Sequence, residues 1–289
     1  MTTSILSLHT YPVKSCGGVT HTQVGVSPAG LAYDRQWAVI DDAGRLLTQR
    51  SHPRMALVQP ALDETALFLN APEMPTLRVS LRKSEPHAPA TPIRIGHSDT
   101  LGLDEGDTAG HWFSDCLGRS CRLYRVHPDA SRLAAPQRVA AWRKRHPEAE
   151  GFPQNHSFGF ADAFPFQIAG QASLDDLNTR LAAGGHAPVG MNRFRPNIVI
   201  QGMRPYEEDY LGSLRVGELT FAVLSCCARC AMINVDPATG EAGFEPLATL
   251  GGYRGFDAGI LFAVNAVVAG SGRGTVLSVG DRVLPVPEP

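Results

Sequence analysis

No long apolar run occurs in this chain. Its first residues, MTTSILSLHTYPVK, lack the basic start and extended apolar centre of a secretory leader. Nowhere does the sequence assemble the roughly 18–20 apolar residues that a membrane-spanning helix requires. A charge excess is missing too. The 26 Lys and Arg against 28 Asp and Glu leave a net charge of −2, which removes the electrostatic case for a nucleic acid polymer or an anionic membrane. Cysteine is scarce, six in 289 residues, and its spacing is not that of a secreted disulfide scaffold. These absences point to a reduced, cytoplasmic protein. What the chain does have is 43% hydrophobic residues, enough for a substantial core, and 29 Gly with 22 Pro, which favour turns and short strands over a helical bundle.

The local patterns agree. Residues 37–40 and 45–48 are strand-like and flank Asp41-Asp42-Ala43-Gly44, a hairpin signal. Residues 77–81 (LRVSL) alternate as a half-buried strand does, and 83–92 (KSEPHAPATP) read as a polar, proline-rich connection. A helix is expected from a cap at Asp107 through Trp112 and Cys116 to a stop at Gly118. Ser173 and Asp176 have the spacing of a capping box for a second helix, with Leu174, Leu177 and Leu181 on one face and Gly184-Gly185 at its end. Pro246 suits the first turn of a third helix ending at Gly251. Buried strands are expected at 197–201, 220–224 and 261–269, and a surface helix with loop at 127–162, which carries the basic run Arg143-Lys144-Arg145. Gly270-Ser271-Gly272-Arg273-Gly274 lies between apolar strands and reads as a hairpin rather than a nucleotide loop. No internal repeat is visible.

Two segments stand out for chemistry: YPVKSCGGV at 11–19 and LSCCARCAMINVDPATG at 224–240. The second sets three cysteines beside Arg229. A thiolate binds soft metals, and a neighbouring guanidinium favours the thiolate and can hold an anion. On spacing alone, Cys227-x-x-Cys230 is open to a redox pair, half a zinc site or a single metal-binding thiolate. A zinc site drawing on Cys116, Cys121, Cys227 and Cys230 is disfavoured by their separation and by the lack of a familiar histidine spacing.

Taken together, Tyr-Pro-Val-Lys-Ser-Cys at 11–16, Tyr-Asp-Arg-Gln-Trp at 33–37, Phe-Arg-Pro-Asn-Ile at 194–198, Ala-Arg-Cys at 228–230, Val-Asp-Pro-Ala-Thr-Gly at 235–240 and Val-Gly-Asp at 279–281 carry a family likeness. The chain resembles the molybdenum-cofactor sulfurase C-terminal (MOSC) domain proteins with an N-terminal β-barrel domain, and among them the mitochondrial amidoxime-reducing components and their bacterial relatives. The likeness spans almost the whole chain. It implies a strand-rich α+β fold, with an N-terminal β-barrel-like domain at 1–122 packed on a MOSC β-barrel domain at 123–289 with peripheral helices.

The resemblance also implies chemistry. Cys230 ends the tripeptide whose cysteine ligates molybdenum in the family. Lys14, Ser15, Arg35, Arg195 and Asn197 match positions that hold molybdopterin, and Arg229 joins them. Lysine would supply a point charge, serine a hydroxyl and arginine a planar fork. In an extended strand, Arg195 and Asn197 would share a face. Asn265 stands where eukaryotic relatives place a Tyr and is a further cofactor contact. Asp162-Ala163-Phe164 precede Pro165-Phe166 where the family often has a Thr/Ser-type pair. Cys226 and Cys227 read as mainly structural, and Asp236-Pro237 with Gly240 as a structural turn.

The implied activity is reduction of N-hydroxylated compounds (hydroxylamines, amidoximes, N-hydroxylated bases), with water as the oxygen's product. No general acid identifies itself in the sequence. With no ferredoxin spacing, flavin or nicotinamide fingerprint, electrons are expected from an external partner, a flavin reductase with a ferredoxin or haem carrier. The Lys-Ser-Cys motif begins so early that no N-terminal anchor like that of eukaryotic relatives is expected. The alternatives are a molybdenum-cofactor or sulfur carrier without redox turnover of its own, and a storage protein. The long aminotransferase-like part of a sulfurase, with its pyridoxal-phosphate lysine, does not occur in this sequence.

Overall fold

A computed structural model describes residues 2–82, 89–149, 152–270 and 274–288. Its spine is an antiparallel pair of long strands, Leu219–Ala228 and Gly259–Ala269. Both are nearly continuous apolar runs because both faces are covered. Phe221, Val223, Val264, Ala266 and Val268 face one core, while Ala222, Leu224 and Val267 pack under Trp142 of the helix Pro136–Arg145. Two register shifts, between Val223 and Ser225 and between Cys226 and Ala228, bend the first strand as it nears Cys230. Such bulges re-aim side chains at the rims of sheets.

Around this pair grows a nine-stranded sheet. From one edge the order is Leu284–Pro287, Leu211–Val216, Leu219–Ala228, Gly259–Ala269, Phe166–Gly170, Ile198–Gln201, Ser4–Thr10 and Val19–His21, with Gly255–Phe256 pairing to Gly259–Ala269. Pro285 and Pro287 lie on the edge strand, where a missing N–H costs least. Phe166–Gly170 and Ile198–Gln201 are parallel, joined by the helix Gln171–Ala183 as a parallel crossover demands.

The N-terminal half forms a barrel-like unit. A four-stranded sheet runs Trp37–Asp41, Cys121–Val126, Ser98–Asp104, Thr91–Ile95, and a three-stranded meander is built from Gln59–Leu62, Ala66–Asn70 and Leu77–Ser80. Trp37, Val39, Leu67, Leu69 and Leu123 fill it, closed by Trp112 and Phe113 of the helix Asp107–Leu117. The whole is strand-rich α+β. The halves interlace: Ser4–Thr10 belongs to the large sheet, and Val276–Ser278 pairs with Gln23–Ser27. Among the described residues, no helix is long and apolar enough to cross a membrane.

Several local expectations shift. After Asp41 the chain does turn as expected, with the Gly44 N–H bonded to the Asp41 carbonyl at 2.9 Å, but the second arm makes only a bridge, Ile40 to Leu46. Asp107 sits inside the first helical turn after Gly106 rather than capping it, while Gly118 ends the helix at φ 62°. The third helix runs Leu247–Arg254, past Gly251. The stretch at 127–162 is more than surface, since Arg132, Val139, Trp142, Phe158 and Phe160 are buried. Its periodicity is weak because the helix buries only Val139 and Trp142. The hairpin at 270–274 and the connection at 83–92 fall partly outside the described residues.

Ser173 is no cap either. The helix begins after Gly170, and the Ser173 hydroxyl donates to the fully buried Glu208 carboxylate at 2.7 Å to Oε1 and 2.9 Å to Oε2. The Gly170 N–H adds a bond of 3.0 Å, and a Cβ on Gly170 would come within 2.8 Å of Glu208 Oε2. Burial pushes the Glu208 carboxyl above its ordinary value. Its contribution to stability is therefore largest when protonated, and falls as pH rises through the raised pKa. The hydroxyl of Ser173 limits that fall by favouring the anion. Ser173→Ala is expected to cost about 1–3 kcal/mol at neutral pH and distinctly less near about pH 4, by urea denaturation. A loss independent of pH, as a helix cap would give, contradicts this account.

Candidate functional site

The strand ends of both halves meet at one cavity of about 610 Å³. Its architecture starts with two segments zipped side by side. The Asp34 carboxylate accepts the Tyr11 N–H at 2.8 Å; the Arg35 N–H reaches Tyr11 O at 3.0 Å, Trp37 N–H reaches Pro12 O at 3.0 Å, and Lys14 N–H reaches Trp37 O at 2.7 Å. This brings Lys14 and Ser15 beside Arg35, although the two motifs are separate in sequence.

Arg35 donates to Asp34 at 2.6 Å and to the carbonyl of Arg195 at 2.9 Å. Arg195 donates to the Cys16 carbonyl at 2.5 Å. Both guanidiniums pack on the Tyr11 ring, 4.5 Å and 4.2 Å from its centroid, so the quadrupole of the ring attracts two cations at once. Burial pushes the Tyr11 phenol up to about 12. Burial, and then Arg35, lower Arg195 to about 10. Arg195 makes no ion pair to a carboxylate among the described residues.

Ser15, Arg35 and Arg195 all have left-handed backbones, with φ of 67°, 45° and 58°. Such conformations in non-glycine residues persist where surrounding structure enforces them, and they gather at ligand clamps. The same fact corrects the expectation that Arg195 and Asn197 share a face of extended strand. Asn197 is held instead by the Gln167 N–H at 3.1 Å, which its Oδ1 accepts, and by its own donation to His9 O at 3.3 Å.

From the opposite wall come the cysteines. Cys230 is exposed, with Arg50 Nη1 3.8 Å from its sulfur. Arg229 donates to Cys227 Sγ at 3.0 Å and to Phe194 O at 2.8 Å, while its buried Nε has no partner. Cys226 is half-buried against the core, and burial together with Asp209 pushes its thiol up to about 11. Asn265 Nδ2 lies 3.2 Å from Ser225 Oγ. Cys16, Cys116 and Cys121 are buried in the N-terminal core.

Lys14, Ser15, Arg35, Arg195, Asn197, Arg229, Cys230 and Asn265 all line this cavity. So do Arg50, Arg138, Gln167 and Asp162, which sequence reasoning did not nominate as ligands. Arg138 lies on the helix whose visible signal was the basic run at its far end. Arg50 lies beyond the hairpin arm, and only the fold turns it towards Cys230. Lys14 is buried and pairs with Asp162 at 2.6 Å. Burial pulls the Lys14 ammonium down, whereas Lys14 holds the Asp162 carboxyl well below the usual range.

The cavity thus sets six cations, Lys14, Arg35, Arg50, Arg138, Arg195 and Arg229, against the single carboxylate of Asp162. In a chain of net charge −2 this is a local anion trap, and the unpartnered Arg229 Nε and ion-pair-free Arg195 are donors still to be used. An accessible thiol on the same cavity adds a soft metal ligand. The donor set fits an anionic, acceptor-rich ligand carrying a soft metal.

Residues 2–120 match the MOSC N-terminal beta barrel domain and residues 155–284 the MOSC domain. The mitochondrial amidoxime-reducing component 1 of Mus musculus is 32% identical over 257 residues, covering 87% of this chain and 71% of that protein. The mitochondrial amidoxime reducing component 2 of Rattus norvegicus is 33% identical, covering 84% and 70%. The molybdenum cofactor sulfurase of Solanum lycopersicum is 29% identical over 97% of this chain, which spans 35% of that longer protein. The chain belongs to the MOSC-domain proteins that carry an N-terminal MOSC β-barrel domain, and it is a relative of the mitochondrial amidoxime-reducing components.

Proposed function

We propose that this protein is a molybdenum-cofactor-dependent reductase of N-hydroxylated compounds, working in the cytoplasm with an external electron donor. The observation that carries the reading is the convergence of six cations and the exposed Cys230 thiol on one cavity. The names of the mouse and rat relatives support it.

In this reading Lys14, Arg35 and Arg195 would hold the anionic part of the cofactor, and Ser15, Arg229, Asn197 and Asn265, which line the same cavity, would add polar contacts. Cys230 is the thiolate for the metal. When bound, the cofactor supplies the two-electron oxygen chemistry that no side chain here can perform. The chain's own work is binding and orientation. Arg35 and Arg195 are fixed by the carbonyls of Arg195 and Cys16, so little reordering is needed when a ligand arrives. Arg50 Nη1 lies 3.8 Å from the Cys230 sulfur, a cation beside the proposed metal ligand.

A carrier of cofactor or sulfur is the second reading, favoured by the tomato sulfurase relative, which matches nearly the full chain. Turnover separates the two.

Cys230→Ser is expected to abolish reduction of an amidoxime or hydroxylamine while leaving the fold intact, because a hydroxyl replaces thiolate poorly on a soft metal; Cys226→Ser should keep most activity. Near-normal turnover by the Cys230 variant with cofactor still bound would remove the metal-ligand assignment, and equal losses in both variants would favour sulfur transfer.

Arg35→Ala and Arg195→Ala should each lower molybdenum and pterin content more than the melting temperature of the apoprotein. Each deletes a charge-assisted bond worth about 1.5–3 kcal/mol, or about ten- to a hundredfold in affinity. Unchanged metal and pterin content in both variants would place the cofactor elsewhere.

Electron supply gives a third test. The pure chain should show no NADH-dependent turnover, and dithionite-reduced viologen, or a flavin reductase with a ferredoxin or haem carrier, should support it. NADH-driven activity of the single chain is the contrary result.

A further inference from the structure

Asp162 is an acid in a cavity otherwise built for anions. Its carboxylate makes one ion pair, to the buried ammonium of Lys14 at 2.6 Å, yet the Asp162 side chain is 82% exposed. Its main chain is fixed. The buried Arg132 guanidinium donates to Gly159 O at 2.6 Å, Ala161 O at 2.7 Å and Asp162 O at 3.2 Å, tying down the backbone behind the side chain. A rigid main chain with an exposed, singly bonded carboxylate allows the side chain to leave by χ rotation without moving the loop.

Two charges compete for Lys14. An ionised carboxylate accepts hydrogen bonds and donates none, so it cannot bridge to a phosphate oxygen, and its like charge repels one. A phosphate oxygen drawn to the Lys14 donor that Asp162 now occupies competes with that carboxylate for it. We propose that Asp162 is an exchangeable counter-ion: it neutralises the buried Lys14, and a phosphate group of the ligand displaces it from the ammonium into solvent. This rests on the cofactor reading of the same cavity. The exchange is an ion-pair swap, Lys14–carboxylate for Lys14–phosphate, with no covalent change. Its effect is to lower the affinity of the cradle for phosphate while sparing the protein an unpaired buried ammonium.

The test uses the full chain purified without cofactor, titrated calorimetrically with inorganic phosphate and with pyrophosphate at constant ionic strength. Asp162→Asn and Asp162→Ser should each bind phosphate about tenfold more tightly than the wild type, the scale expected for removing one competing, partly solvated charge. Adding Lys14→Met to Asp162→Asn should erase the gain. Phosphate affinity in both Asp162 variants equal to or below the wild-type value overturns the proposal, as does a gain that survives loss of Lys14. Because the readout is phosphate binding, the two claims fail separately: the predicted order of affinities in a protein that never acquires molybdenum would sink the cofactor reading and keep the counter-ion.

Discussion

The Arg35–Tyr11–Arg195 stack is the interaction on which the site depends. Two guanidiniums are brought together in the interior, where like charges repel and desolvation is costly. The protein accommodates them with the Tyr11 ring against both, the Asp34 carboxylate on Arg35, and the main-chain carbonyls of Arg195 and Cys16. The carbonyls come from different halves of the chain, Cys16 and Arg195, so the same contacts that hold the cations also join the halves. With only one carboxylate for two guanidiniums, the arrangement has positive charge left over, and that surplus is aimed into the cavity.

The interlaced fold gives this stack its rigidity. Ser4–Thr10 is a strand of the large sheet, and it delivers Tyr11 and Lys14 directly from a hydrogen-bonded ladder. On the other side, the bulged end of Leu219–Ala228 carries the chain out of the sheet towards Cys230. A cationic wall and a thiol wall are thus each mounted on strands whose far ends are locked in the hydrophobic core around Phe166 and Phe221, whose rings meet edge to face at 5.1 Å.

Much of this was legible in the sequence, for identifiable reasons. Strands such as Leu77–Ser80 alternate because one face is solvated, and the paired glycines after Ala183 stop a helix as glycines do. The cavity residues were legible through short motifs rather than periodicity. Three things were not. Ser173 looks like a cap because the local spacing is right, yet its partner Glu208 is remote in sequence. Arg195 reads as extended because it stands at the start of an expected strand, two residues from Asn197, but the fold places it at φ 58°. Arg50 and Arg138 carry no motif, and they reach the cavity only because the turn that follows the hairpin arm and the helix Pro136–Arg145 border it.

The central claim is that a surplus of cations lining one cavity, with Cys230 beside them, is a molybdenum-cofactor site. The direct measurement is elemental and pterin analysis of the protein made in a host that synthesises the cofactor, paired with X-ray absorption at the molybdenum edge. The account predicts one molybdenum and one pterin per chain, and a metal–sulfur contribution that diminishes in Cys230→Ser. Protein that folds in such a host yet carries neither molybdenum nor pterin would contradict it.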